Sequence, residues 1–352
     1  MKTLFDPVQM GDLKLPNRMI MAPLTRCRAE KNRVPNALMA DYYTQRATAG
    51  LIISEATSVM PMGVGYPDTP GIWSYEQVEG WKQVTSAVHA AGGRILLQLW
   101  HVGRISVPVY LDGEQPVAPS AIAPAGHVSL VRPKKEYVVP RALDTDEIPG
   151  IVEAYRQGAE NAQSAGFDGV EVHGANGYLL DQFLQTSTNQ RTDNYGGSLE
   201  NRARLHLEVI DAVISVWGPG RVGMHLAPRC DAHDMGDDDP AATFGYVAAE
   251  LGRRKIAFIC TREHFSAPAL TPALKKAFGG CLIANEQFSK ESAGRVLEEG
   301  TADAVAFGRA YIANPDLVER FKRDTPLNKL DMETLYGGGA KGYTDYPILE
   351  VS

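Results

Sequence analysis

Gly308 and Arg309 close an apolar run, Ala304–Arg309, late in the chain. A glycine lets backbone N–H groups approach an anion closely, and an arginine adds a permanent charge. With Asn285 at the end of the preceding run, Cys281–Asn285, the set suits a phosphate monoester. Thr25, Gln98, Trp100, His173 and His225 also stand at or near the ends of apolar runs. Brought together, these residues describe a phosphate-bearing ligand beneath a mouth rich in Asn, Gln and His. Composition and spacing leave that ligand unnamed.

Residues so scattered meet only where a regular scaffold collects the run ends. Eight short, β-rich apolar runs recur: Met19–Thr25, Leu51–Thr57, Ile95–His101, Gly169–Ala175, Val222–Pro228, Ile256–Thr261, Cys281–Asn285 and Ala304–Arg309. Amphipathic helical patterns separate them. Glu76–Ala91 puts Trp81, Val84, Val88 and Ala91 on one face, and Ile148–Ala165 and Leu199–Trp217 repeat that periodicity. Asp239-Pro240 reads as a helix N-cap followed by proline in the first turn. Strict βα alternation implies a parallel sheet. Eight units favour closure into a single (β/α)8 TIM barrel over an open, doubly wound sheet.

In such a barrel chemistry sits at the C-terminal strand ends. Alternation turns Glu171, His173 and His225 into the lumen and sets Gln98 and Trp100 on one shared face. Pro7–Asn17, with a turn at Gly11-Asp12, is expected to plug the barrel bottom as a hairpin. Residues 1–352 then form one domain. Within it Val102–Thr145, 44 residues with six prolines and no sustained period, is expected as a long insertion after the third strand, a lid over the mouth.

Apolar residues make up 44% of the chain and charged residues 22%, with a formal net charge of −7. That balance is ordinary for a soluble globular protein. No Lys/Arg block is long enough to track a phosphate backbone, which argues against nucleic-acid or membrane-surface partners. The opening residues lack a signal-peptide core and no apolar run approaches a membrane span, so a cytoplasmic location is expected. Cys27, Cys230, Cys260 and Cys281 form no C-x-x-C pair and are expected as buried fillers. Gly337–Gly342 satisfies G-x-G-x-x-G, but no strand precedes it and no helix follows, so it is no dinucleotide fingerprint. Asp231–Asp239 is acidic without the register of a calcium loop and reads as a capped, solvated turn.

Longer stretches are more specific: Asn17–Arg26, Gly50–Thr57, Leu97–Arg104, His173–Tyr178, Thr188–Ser198 and Asp303–Arg309. Through them the chain resembles the Old Yellow Enzyme family of FMN-dependent ene-reductases over nearly its whole length. The resemblance implies an enzyme that binds FMN non-covalently and takes NADPH or NADH as reductant. It implies reduction of electron-poor alkenes (α,β-unsaturated carbonyls, nitroalkenes) and of nitro compounds, by ping-pong hydride transfer through flavin N5. Carried over position by position, the flavin contacts fall on Pro23, Leu24, Thr25 and Ala56, with Gln98 and His225 at the pyrimidine edge. Ala284, Asn285, Gly308 and Arg309 fall at the phosphate. The pair that holds the substrate oxygen falls on His173 and Asn176, the proton donor on Tyr178, and the pocket aromatics on Tyr66, Trp100 and Tyr343.

Those residue types suit the chemistry. Two N–H donors stabilise an oxygen on which charge develops, and a phenol is a neutral acid at pH 7. One position departs from the family's pattern: His225 stands where relatives usually carry a permanently charged arginine. Two other readings compete. His101, His173, His225 and His264 lie near four strand ends, as in metal-dependent barrel hydrolases, although the first strand ends without H-x-H and no metal is expected. A flavin- or phosphate-binding barrel without turnover is the other.

Overall fold

Eight parallel strands follow one another around a closed ring in chain order: β1 (Met19–Met21), β2 (Leu51–Ser58), β3 (Ile95–Trp100), β4 (Val170–Gly174), β5 (Val222–Leu226), β6 (Phe258–Arg262), β7 (Cys281–Asn285) and β8 (Ala304–Phe307). The computed structural model describes residues 2–229, 232–263 and 269–350, so Cys230, Asp231 and His264 lie outside the described residues. Helices pack around the ring. Tyr75–Ala90 opens with a Ser74/Gln77 capping box, and Ile148–Ser164 and Leu199–Trp217 follow the apolar periodicity. Pro240–Arg253 is capped by Asp239, whose side chain accepts from the Ala242 N–H.

Several strand boundaries shift, two of them for identifiable reasons. β1 stops at Met21, short of Thr25, because Pro23 has no N–H to give a ladder. β8 stops at Phe307, and Arg309 instead begins a five-residue helix, Arg309–Ala313. In β2 the pairing with β3 shifts between Ile53 and Ala56. That irregularity sends Ala56 to the barrel mouth, while the Glu55 carboxylate accepts from the Arg26 N–H and the Tyr43 hydroxyl.

The lumen is layered. Its lower part is apolar, filled by Ile20, Leu51, Ile53, Leu96, Phe258, Ile283 and Ala304. Gly223 makes room there: a Cβ on it would stand 2.2 Å from the Phe258 ring. Below, an antiparallel hairpin, Val8–Met10 with Leu13–Leu15, buries Met10, Leu13 and Leu15 in the same cluster and plugs the barrel. Its turn at Gly11 has a φ of +53°, and a Cβ there would meet the Gly220 carbonyl oxygen. Outward positions such as Val170, Val172, Val222 and Met224 join the core beneath the helices.

Residues 102–145 run as a turn at Pro108–Tyr110, a short parallel pairing of Val117–Ala118 with Arg141–Ala142, and a bridge from His127 to Glu136. From this stretch Leu130 and Tyr137 pack against Cys27, Ala56, Tyr66 and Trp100 at the barrel mouth. Cys27 and Cys260 are buried and Cys281 is half-buried. The Gly337–Gly342 segment supplies carbonyl acceptors to arginines: Arg28 Nε donates to Gly339 and Arg26 Nη2 to Gly342. In the acidic loop, Asp237 accepts from the Thr186 N–H and the Thr243 hydroxyl. Among the described residues no helix is long and apolar enough to cross a membrane.

Candidate active site

A cavity of about 430 Å³ opens at the C-terminal ends of the strands. Pro23, Leu24, Thr25, Ala56, Gln98 and Trp100 line it from the first three strands and their loops. His173, Asn176, Tyr178 and His225 line it from β4 and β5, and Asn285, Gly308 and Arg309 from β7 and β8. β4 and β8 stand across the ring from one another, so the His173 side faces the Arg309 side.

Three expected residues lie elsewhere. Ala284 neighbours inward-facing Asn285 on β7, so alternation turns its side chain toward the helices, where it joins the outer core. Only its backbone can reach a ligand in the mouth. Tyr343 is fully buried outside the cavity, stacked on Tyr42 at 4.0 Å with the Arg28 guanidinium 4.3 Å from its ring centroid. Leu335 and Tyr336 line the cavity instead. Tyr66 sits behind the wall, stacked on Trp100 at 5.5 Å, and its hydroxyl lies 3.0 Å from that of Tyr178.

The β4 end is tightly arranged. Burial, then the neighbouring His225 and Arg262, hold the His173 imidazole well below the usual histidine range, so the ring is neutral. It stacks between Trp100 (6.4 Å) and His225 (5.5 Å), with the Tyr178 ring edge-on at 5.1 Å. Asn176 adopts a left-handed backbone, φ +60°, and its carbonyl accepts from His233 Nδ1 at 2.9 Å. The Gly177 N–H donates to Asp181, and Gln182 Nε2 donates to the Gly177 carbonyl. The turn that aims Asn176 and Tyr178 is therefore pinned from both sides.

Three residues here received no role from the sequence. Glu171, fully buried one turn of the pleat below His173, accepts from Gln98 Nε2 at 2.7 Å. The same nitrogen lies 3.3 Å from His225 Nδ1, which itself lies 3.7 Å from Glu171. An imidazole accepting at Nδ1 carries its proton on Nε2. Glu171, His225 and Cys260 bring possible ligand atoms within 4.8 Å of one another, yet the Gln98 amide engages two of the three, which is a hydrogen-bond network rather than a coordination shell. Arg262 and Glu286 complete the cavity wall. Glu171 was legible as an inward residue; Arg262 lies one residue past the expected end of its strand. Of the histidines weighed as ligands, His101 is buried and accepts from the Gly103 N–H, and His264 lies outside the described residues.

The wall fits FMN. Trp100 Nε1, His173 Nδ1 and His225 Nε2 are buried without a hydrogen-bond partner among the described residues, and buried polar atoms of native proteins find partners. Leu24 and Ala56 offer apolar contact, Gln98 and His225 offer polar atoms to a heteroaromatic edge, and Arg309 with Asn285 and Gly308 offers a phosphate seat.

The family model for the NADH:flavin oxidoreductase / NADH oxidase family matches residues 3–328. The chain is 46% identical to 12-oxophytodienoate reductase 1 of Oryza sativa subsp. japonica, covering 99% of this chain and 93% of that protein. It is also 46% identical to a probable flavin mononucleotide-dependent alkene reductase of Leishmania infantum, covering 98% and 97%. Among solved structures it is similar to morphinone reductase in complex with tetrahydroNAD, at TM-score 0.96 and 52% identity, covering 99% and 98%. The old yellow enzyme homologue from Zymomonas mobilis gives TM-score 0.96 and 46% identity, covering 99% and 100%.

Proposed function

The chain belongs to the NADH:flavin oxidoreductase / NADH oxidase family, and from that membership we propose how its residues divide the work of reducing an activated alkene. The protein is an NAD(P)H-dependent, FMN-using oxidoreductase acting on electron-poor C=C bonds. Bound FMN supplies the two-electron chemistry between the nicotinamide and the substrate.

The protein's own groups do the rest. Asn285, the Gly308 backbone and Arg309 hold the cofactor phosphate, Gln98 and His225 its polar edge, and Leu24 and Ala56 its apolar surface. Neutral His173 and Asn176 donate N–H bonds to the carbonyl or nitro oxygen and strengthen them as charge builds there. The Tyr178 hydroxyl supplies the proton that completes reduction at carbon. Tyr66 and Trp100 hold the Tyr178 ring in place, and residues 102–145 act as a lid, with Leu130 and Tyr137 keeping water from the mouth. Residues 1–352 work as one domain.

The observation that carries this reading is the convergence of His173, Asn176 and Tyr178 on one cavity that faces Arg309 across the barrel. Its test is the His173→Ala/Asn176→Ala double variant. Each lost donor is expected to cost about 2–4 kcal/mol in the transition state, read as a fall in kcat/KM for a cyclic enone. Unchanged enone turnover removes the pair from the reaction.

A further inference from the structure

Asn176 is useful as a donor only if its amide presents nitrogen, rather than oxygen, to the substrate. The two ends of a carboxamide have the same shape, so something in the wall must choose between them. Among the described residues, the one hydrogen-bonded to that amide is Arg262, the last residue of β6, two positions beyond inward-facing Cys260. Arg262 Nη1 lies 2.9 Å from Asn176 Oδ1. A guanidinium has donors and no acceptor, so the amide atom facing it is oxygen. The amide nitrogen is thereby turned away from Arg262.

The arginine is itself anchored. Its Nε donates to Glu286 Oε2 at 2.5 Å. Burial pushes the Glu286 carboxyl up, but the Arg262 contact outweighs it and leaves the group below its ordinary range. Glu286 sits directly after β7 with φ +114°, and Asn176 is at φ +60°, two left-handed non-glycine positions joined by one guanidinium. Strained backbone of this kind persists where its surroundings over-determine it.

We propose that Arg262, held by Glu286, is a positioning residue that fixes the Asn176 amide with nitrogen toward the substrate oxygen and polarises its N–H. A cation on the carbonyl end of an amide draws charge from the nitrogen, so the N–H becomes a stronger donor as negative charge grows opposite it. The inference rests on the reading of Asn176 as an oxygen donor.

The test uses the FMN-loaded, full-length protein and a non-reacting stand-in for the charged oxygen, 4-cyanophenolate, with the neutral ether 4-methoxybenzonitrile as control. Dissociation constants are read from the change in visible absorbance of the bound cofactor. Arg262→Met is expected to weaken phenolate binding about tenfold (~1.4 kcal/mol) and to leave the ether within about twofold. In an Asn176→Ala background the Arg262 substitution is expected to have no further effect on the phenolate. Should Arg262→Met not retain FMN, Glu286→Gln, which loosens the anchor, is read in the same way. Equal weakening of both ligands, or no weakening of either, overturns the proposal. So do losses that multiply in the double variant, which would mean that Arg262 acts independently of Asn176. Unchanged phenolate affinity in Asn176→Ala alone overturns the donor reading itself, and this inference with it.

Discussion

Tyr66→Phe removes one oxygen from the wall of the cavity and should separate the two half-reactions. The Tyr66 hydroxyl lies 3.0 Å from that of Tyr178. Burial, then the neighbouring Tyr178, hold the Tyr66 phenol well above its ordinary range, so it stays protonated. On the proposed role of Tyr178, its oxygen becomes an acceptor as the proton leaves, and Tyr66 is placed to donate to it. A hydrogen bond to a charged group is worth about 1.5–3 kcal/mol. At 1.36 kcal/mol per decade, its loss slows proton delivery roughly 10- to 150-fold. Phenylalanine keeps the ring stacked on Trp100 at 5.5 Å, so packing is preserved. The assay is rapid mixing of the reduced protein with enone, compared with reduction of the oxidised protein by NAD(P)H. Only the enone step should slow, with an enlarged solvent deuterium isotope effect. If both steps slow alike, or neither does, the hydroxyl contact has no part in proton delivery.

Tyr178→Phe should leave reduction by NAD(P)H intact and slow the enone step by about 10²–10⁴-fold; equal slowing of both steps would make Tyr178 a packing residue. Arg309→Ala should weaken FMN retention by about 1.5–3 kcal/mol, measured by equilibrium dialysis of released flavin, if a charged hydrogen bond to phosphate is lost. His206, buried on the helix Leu199–Trp217, is held down to about 4 by burial. Its stabilising neutrality is complete above the ordinary 6.5 and is lost as pH falls toward 4. His206→Leu should therefore gain about 2 kcal/mol relative to the parent between pH 7 and about pH 5, in urea unfolding at each pH. A pH-independent difference would show that the ring titrates normally.

Two periodicities made the fold legible: 3.6 residues along the helices and alternation along the strands. What they could not resolve was where a strand stops. Pro23 ends β1 early and Arg309 belongs to a helix, because each depends on one residue's backbone chemistry rather than on a pattern. The same limit hid Arg262: read as ending at Thr261, the strand shows no inward cation, whereas one more residue puts a guanidinium on the face of Cys260. The outward side chain of Ala284, which leaves only its backbone to the mouth, could have been foreseen from sequence, since it and Asn285 cannot both point inward. Tyr343 could not. It lies in an irregular C-terminal segment where Tyr336 reaches the cavity, and no period distinguishes the two.

The least legible feature was the consequence of His225. Read alone, histidine in place of an arginine removes a permanent cation from the barrel centre. An arginine there would face Glu171, a fully buried acidic residue 3.7 Å from the present ring nitrogen. Buried ion pairs stabilise only when every remaining atom is satisfied. Here the Gln98 amide takes both sides of the contact, donating to Glu171 Oε2 and lying against His225 Nδ1. One neutral donor thus occupies the space between them. Among the described residues, Glu171 Oε1 and His225 Nε2 are left without protein partners, and His225 belongs to the cavity wall where the cofactor edge is proposed to lie. A guanidinium nonetheless lines the cavity. On the next strand Arg262 carries one, paired with Glu286 and set against Asn176 rather than Glu171. If Asn176 holds the substrate oxygen as proposed, this cation acts there, while a hydrogen-bond network stands at the proposed cofactor edge.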